Sequence, residues 1–145
     1  MSASPILQKE DVKKLRKPNN IFPISTSLDK EFFRWWCIFL RPFVSLTDRE
    51  IDVVSSFLKQ RWELSKHISD PAILDTMLMS EESKKKVIEE CHITLPHFYV
   101  VMSSLRKNKI IENNTFNSKL IPNIRPDDNG YFQLLILFKD TKEKS

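Results

Sequence analysis

The residue types that carry out chemistry in proteins are few in this chain, and their spacing does not bring them together. Three histidines are present: His67, His92 and His97. His92 and His97 lie five residues apart across a predicted turn, whereas histidines that bind zinc from one helix face are four apart. No cysteine or carboxylate completes a set of ligands with them, so the sequence predicts no metal site and no cofactor.

Acid–base and nucleophilic chemistry lack support as well. The adjacent carboxylates Glu89 and Glu90 point in different directions from a helix. The single glycine, Gly130, excludes the glycine-rich loops that hold phosphates and dinucleotides. Cys37 and Cys91 fall inside apolar helical patterns, where a thiol is buried and unreactive. We therefore expect a protein that is not an enzyme and has no small-molecule substrate.

The composition is that of a globular chain. Of 145 residues, 41% are hydrophobic and 29% are charged, with a formal net charge of +4, which is compatible with a polyanionic partner without requiring one. The apolar runs Phe32–Leu40 and Leu134–Phe138 fall far short of the roughly 20 residues that span a bilayer. Met1–Glu10 lacks the pattern of a secretory signal. We therefore expect no contact with a membrane and a location inside a cell.

The first part of the chain divides into an arm and an aromatic helix. Residues 1–27 are polar and basic, which is typical of a solvated terminal arm, although such an arm can also contact nucleic acid. Leu28–Leu40 is predicted to be a helix that is apolar nearly all round and needs cover on most sides. We expect it to be a core helix, with the alternative that part of it is an assembly surface. The candidate interface residues are Phe32, Phe33, Trp35, Trp36 and Phe39.

Capping signals divide the middle of the chain into further helices. Thr47 and Glu50 form a predicted capping box, Leu46 and Ile51 a hydrophobic staple, and the helix they begin is expected to run to about His67. The dipeptide Asp70-Pro71 begins a shorter helix that carries four apolar residues. These residues are Ile73, Leu74, Met77 and Leu78.

A helix-turn-helix is predicted over about residues 80–108. Ser80 caps the first helix, which ends at Cys91, and His92 takes the left-handed backbone conformation in the turn. Thr94 then caps Leu95–Lys107, and Asn108 is the predicted left-handed C-cap. The inward face of this second helix is predicted to carry Leu95, Phe98, Val101, Met102 and Leu105. Its outward face is predicted to carry Pro96, His97, Tyr99, Val100, Ser103, Ser104 and Lys107.

A small β-region follows. Lys109–Ile111 is predicted to be one strand, Asn113-Asn114 a turn, Phe116–Pro122 a second strand, and Tyr131–Phe138 a buried strand. The sequence thus predicts a mainly α fold with small β: a winged helix-turn-helix-like domain, preceded by an aromatic-rich helix. It forms a single domain over residues 28–138, followed by a charged tail at 139–145.

Several segments carry a resemblance that covers most of the chain. They are Phe32–Trp36, Leu46–Asp52, Met79–Val87, Leu105–Lys109, Ile121–Asn123 and Phe132–Leu135. Together they resemble a small protein family of crAss-like tailed bacteriophages that infect Bacteroidota. This resemblance implies one of two roles, a virion component near the portal and tail or a DNA-binding regulator. It implies a location in the virion or in the host bacterial cytoplasm.

Two functions follow as hypotheses, and we favour the first. In the first, the chain is a virion structural protein of a head-tail connector or tail ring, which forms homo-oligomers and binds other virion proteins. In the second, it is a winged-helix regulator that binds double-stranded DNA. The candidate DNA-binding residues are Lys84, Lys85, Lys86, His97, Tyr99, Ser103, Ser104, Arg106, Lys107 and Lys109. Tyr99, Ser103, Ser104 and Lys107 are expected near bases, and Lys84, Lys85, Lys86, Arg106 and Lys109 on phosphates.

Overall fold

Five helices and one hairpin follow each other in the part of the chain that the computed structural model describes, which is residues 22–27, 31–124, 132, 136 and 138–142. The helices are α1 (Phe32–Leu40), α2 (Asp48–Leu64), α3 (Pro71–Leu78), α4 (Glu81–Cys91) and α5 (Leu95–Lys107). The strands β1 (Ile111–Glu112) and β2 (Thr115–Phe116) precede a 3₁₀ turn at Ser118–Leu120. The prediction of a mainly α fold with small β is confirmed.

Helices α2 to α5 begin where the sequence predicts, because each has a side chain that accepts a backbone N–H of its first turn. The capping residues are Thr47, Asp70, Ser80 and Thr94, with N···O distances of 3.2, 2.9, 3.2 and 3.3 Å. The capping box of α2 is complete, since Glu50 accepts the N–H of Thr47 at 2.8 Å. Each cap is typically worth about 1 kcal/mol, so local chemistry sets these boundaries.

Helices α4 and α5 end in the same way. His92 has φ of 53° and Lys109 has φ of 61°. After α4, the N–H of Ile93 bonds to the carbonyl of Ile88 at 3.3 Å. After α5, the N–H of Ile110 bonds to the carbonyl of Leu105 at 2.9 Å. Both ends are therefore Schellman motifs with a left-handed residue just past the helix.

The left-handed position after α5 differs by one residue from the prediction. Asn108 has φ of −90°, because its N–H still bonds to the carbonyl of Ser104 at 3.0 Å and keeps it in the last helical turn. At α4, by contrast, the prediction of a left-handed His92 is confirmed. The break between α4 and α5 therefore lies within residues 92–94, as expected.

Other predicted boundaries are wrong. Helix α2 ends at Leu64 rather than His67, because the N–H of His67 bonds to the carbonyl of Leu64 at 3.0 Å and tightens the chain into a turn. Strand β1 begins only at Ile111. Strand β2 stops at Phe116 instead of continuing to Pro122, because the Asn117 side chain accepts the N–H of Lys119 and starts the 3₁₀ turn.

The hairpin turn itself agrees with the prediction. Asn113 and Asn114 have φ of 52° and 63°, the pair of positive angles that a two-residue type I′ turn requires. The strands pair antiparallel, with Ile111 opposite Phe116 and Glu112 opposite Thr115. Ile111 and Phe116 are buried, so the hairpin closes one side of the core.

Some predictions fall largely outside the described residues. Of the arm at 1–27, the structure describes residues 22–27, which have no regular secondary structure. Of the run Tyr131–Phe138, it describes Phe132, Ile136 and Phe138, and these three lie in no strand. The ring of Phe132 packs edge-on against Phe32 and Trp36, with centroids 5.2 and 5.6 Å apart.

Helix α2 lies at the centre, with α1, α3, α4 and α5 packed on it. Opposite sides of α2 hold α1 and α5. Asp52 of α2 bonds to Arg34 of α1 and Asp48 to Arg41 just after α1, whereas Glu50 bonds to Ser104 of α5. Since Glu50 and Asp52 are two residues apart, they point about 200° apart around the helix. The outward faces of α1 and α5 consequently point in different directions.

The inward face of α5 is mostly as predicted. Phe98, Val101, Met102 and Leu105 are buried, whereas Leu95, also predicted to face inward, is exposed at the start of the helix. Its position lies at the edge of the buried stripe, where the turn before α5 leaves it uncovered. On α3, likewise, Leu74 and Leu78 are buried, while Ile73 and Met77 are exposed.

Two neighbouring aromatic residues test this orientation of α5. Phe98 is 1% exposed and Tyr99 is 53% exposed. We expect Phe98→Ala to lower the free energy of unfolding by about 3–5 kcal/mol, because it removes a ring from the core. The matched variant Tyr99→Ala should lower it by at most about 1 kcal/mol. Urea unfolding followed by circular dichroism measures both, and equal losses would contradict the orientation.

Candidate protein-interaction surfaces

Helix α1 is held on α2 by its buried side and by two ion pairs at its margin. Arg34 bonds to Asp52 and Arg41 to Asp48, and the indole N–H of Trp36 donates to the carbonyl of Leu120 at 2.7 Å. The Arg41 guanidinium, through its hydrogen bond and its charge, lowers the pKa of the Asp48 carboxyl. The margin of α1 is therefore polar, and both of its arginines are paired with carboxylates of α2.

The five predicted interface residues of α1 divide between the core and the surface. Phe32, Phe33 and Trp36 lie in the core, so they are not available to a partner in this structure. Trp35 and Phe39 lie on the opposite side and are about 40% exposed. The alternative of an assembly surface thus concerns only part of the helix, as the sequence analysis allowed.

Two residues that the sequence analysis did not select extend this exposed surface. Ile38 lies between Trp35 and Phe39 on the same helix face, and Phe43, 72% exposed, follows Phe39 by four residues. The i, i+4 spacing of Trp35 and Phe39 was visible in the sequence, but only the packing of α1 on α2 shows which aromatic face is outward. Phe43 lies in the turn after α1 and borders a cavity with Lys109, near the end of α5. We call the exposed residues Trp35, Ile38 and Phe39 the α1 patch.

The outward face of α5 is more apolar than a DNA-reading helix requires. Tyr99 and Val100 are 53% and 66% exposed, and Leu95 beside them is 51% exposed. We call these three residues the α5 patch. The predicted polar members His97, Ser103 and Lys107 are also exposed. The first two turns of α5 therefore offer mainly an apolar surface to a partner.

Ser104, one of the candidate DNA-binding residues, has a structural partner. Its hydroxyl donates to Glu50 at 2.5 Å, and Glu50 is buried. The same carboxylate accepts the N–H of Thr47, so it joins the cap of α2 to α5. A buried carboxylate needs such donors to offset its lost hydration. Ser104 thus orients α5, a role that the sequence did not indicate because 54 residues separate the partners.

The lysine cluster of α4 is interrupted by acidic side chains. Lys85 and Lys86 are exposed, but Glu82 and Glu89 are exposed on the same outward face. Lys84 is mostly covered and lies 3.8 Å from the carboxylate of Glu81. The local charges therefore largely cancel, and the run of three lysines does not produce a basic surface of the kind that binds phosphates.

The remaining candidate cations gather at the end of α5. Arg106, Lys107 and Lys109 are exposed, and none of them forms an ion pair with the residues that the structure describes. Helix α5 itself contains no acidic residue. This end of the helix is accordingly the basic part of the predicted DNA-binding set.

A polar cavity of about 290 Å³ lies between α1, α2 and α4. Its charged side chains are paired, Arg34 with Asp52 and Lys59 with Glu90. Partial burial opposes ionisation of Glu90, but hydrogen bonds from Lys59 and Ser56 outweigh it and lower the pKa of its carboxyl.

The two thiols of the chain have raised pKa values. Burial, together with the charges of Asp52 and Glu90, raises the pKa of Cys91 beside the polar cavity to about 11. Burial raises the pKa of Cys37 to about 12. Both thiols are protonated near neutral pH, and a protonated thiol is a poor nucleophile.

The described residues hold neither a cluster of metal ligands nor a helix that could span a membrane. They contain no group of three or more histidine, cysteine or acidic side chains placed to hold a metal ion. Among the helices described, none combines the length and the apolar character needed to cross a bilayer.

Comparisons with known proteins return no match among family models, curated proteins or solved structures.

Adjacent serines on α5 test the link to Glu50. We expect Ser104→Ala to lower the free energy of unfolding by about 1–3 kcal/mol, because it removes a donor from a buried carboxylate. The exposed neighbour provides the matched control, and Ser103→Ala should change stability by no more than about 0.5 kcal/mol. Chemical denaturation measures both variants. If Ser104→Ala is as neutral as Ser103→Ala, Glu50 does not depend on this contact.

Proposed function

We propose that this chain is a non-enzymatic structural component of a virion, in a head-tail connector or tail ring, and that it acts by binding other protein chains. The observation that carries the proposal is the α1 patch. Two aromatic side chains and an isoleucine share one exposed face of α1, beside the ion pairs of Arg34 and Arg41. An apolar centre with a polar rim is the usual anatomy of a protein interface.

The surface of the helix pair supports the same proposal. The α5 patch is apolar where a DNA-reading helix places polar side chains at base edges, and α4 carries as many exposed acidic as basic residues on its outward face. The resemblance to crAss-like phage proteins supplies the virion as the setting. In this proposal, α4, α5 and the hairpin form a winged-helix-like module that is used for packing.

A second candidate function is DNA binding by the same module. It is favoured by one observation, the exposed cations Arg106, Lys107 and Lys109 where α5 leads into the hairpin. In a winged-helix regulator these residues lie close to the phosphate backbone. The two functions differ in the partner that they require, and this difference can be measured.

Mass spectrometry of purified phage particles tests the proposal. We expect peptides of this chain at a constant stoichiometry relative to known virion proteins, because a ring component stays in the particle. Peptides from a host cytoplasmic protein serve as the control for carry-over. Absence of the chain from particles of high purity would contradict the structural role.

Binding to double-stranded DNA provides the second arm of this test. We expect weak binding that the triple variant Arg106→Ala, Lys107→Ala, Lys109→Ala barely changes. Tight binding that falls by orders of magnitude between 50 and 200 mM salt, and is lost in that variant, would instead support the regulator. Fluorescence anisotropy with a labelled duplex measures the affinity of the unmodified chain and of the triple variant for DNA.

A further inference from the structure

We infer that the partner of the α1 patch is a second copy of this chain, and that the α1 patch of one copy docks on the α5 patch of the next. This inference rests on the proposed function and names the partner of its main surface. Its basis is that, among the described residues, α1 and α5 each carry an exposed apolar patch, and the two helices pack on opposite sides of α2.

The position of the patches favours contact between copies over contact within one copy. Because α1 and α5 pack on opposite sides of α2, Trp35 and Phe39 of one chain point away from its Tyr99 and Val100. A surface on one side that binds a different surface on the other side makes a head-to-tail contact, and repeating it with a closing rotation gives a ring. Each copy then buries both of its apolar patches.

Charge complementarity sets the direction of the contact. Helix α5 has Arg106 and Lys107 in its last turn and no acidic residue. Glu31, the residue just before α1, precedes Trp35 by four residues and is exposed. It forms no ion pair with the described residues. An antiparallel arrangement of the two helices therefore places the Glu31 carboxylate against the cations of Arg106 and Lys107.

The spacing of the side chains fits this antiparallel arrangement. If Lys107 faces Glu31, the helical register pairs the remaining outward residues one by one. Ser103 then faces Trp35, Val100 faces Ile38, Tyr99 faces Phe39, and His97 faces Arg41. The pairs Val100 with Ile38 and Tyr99 with Phe39 place apolar surface against apolar surface at the centre of the contact. The polar and charged groups lie towards its two ends.

Cross-linking of cysteine variants tests the head-to-tail contact. Cys91→Ser removes the half-buried thiol, and Ile38→Cys and Val100→Cys are added separately or together. With a short bis-maleimide reagent, we expect the double variant to give a ladder of oligomers. Each single variant alone should stay monomeric on a denaturing gel, and an equal mixture of the two should give dimers.

The other outcomes overturn the inference. A dimer from Ile38→Cys alone would show that the α1 patch binds itself. Monomers in every sample, with sedimentation velocity showing a monomer at micromolar concentration, would show that copies do not bind each other. If the chain is nevertheless stoichiometric in phage particles, the proposed function stands and only the partner named here is wrong.

A charge exchange supplies an independent measurement that leaves both patches intact. We expect Lys107→Glu or Glu31→Lys alone to raise the dissociation constant of the assembly about fivefold, a change typical of one exposed ion pair. The double variant should restore it. Lys119→Glu, at an exposed lysine of the 3₁₀ turn, is the matched control. Equal weakening by the single and double variants would contradict the antiparallel register.

Discussion

Helix α2 must be covered on several sides, and this constraint arranges the rest of the chain. Seven of its residues are buried, at positions spread around much of its circumference. One of them is the carboxylate of Glu50, which is stable there only because Thr47 and Ser104 donate to it. Of the helices that cover α2, α1, α3 and α5 have apolar residues on more than the side they turn inward, whereas the outward face of α4 is charged. The exposed patches of α1 and α5 are the consequence.

Local chemistry made much of the fold predictable from the sequence. Thr47, Asp70, Ser80 and Thr94 bond to amides two or three residues away, so their role can be recognised without tertiary information. The left-handed His92 is predictable for the same reason. The prediction failed where either of two neighbouring residues could take the left-handed conformation. Lys109 takes it instead of Asn108.

Contacts between distant segments were not predictable in this way. The aromatic pattern of α1 shows a helix that needs cover, but it does not show that Phe33 and Trp36 face α2 while Trp35 and Phe39 face outward. The run Lys84–Lys86 suggested a basic surface from sequence order alone. On the helix, Glu82 and Glu89 share the outward face with Lys85 and Lys86, because residues three and four apart are neighbours there. The electrostatic case for DNA binding by α4 is weaker for that reason.

The account depends on the claim that the two patches are exposed in one copy and covered in the assembly. Hydroxyl-radical footprinting of the side chains measures this directly, at a low concentration that favours single copies and at a high one. The account predicts that oxidation of Trp35, Phe39 and Tyr99 falls strongly on assembly, while the buried Trp36 and Phe98 react little in both states. Equal oxidation of Trp35 and Tyr99 at the two concentrations, with assembly confirmed by mass, would contradict it.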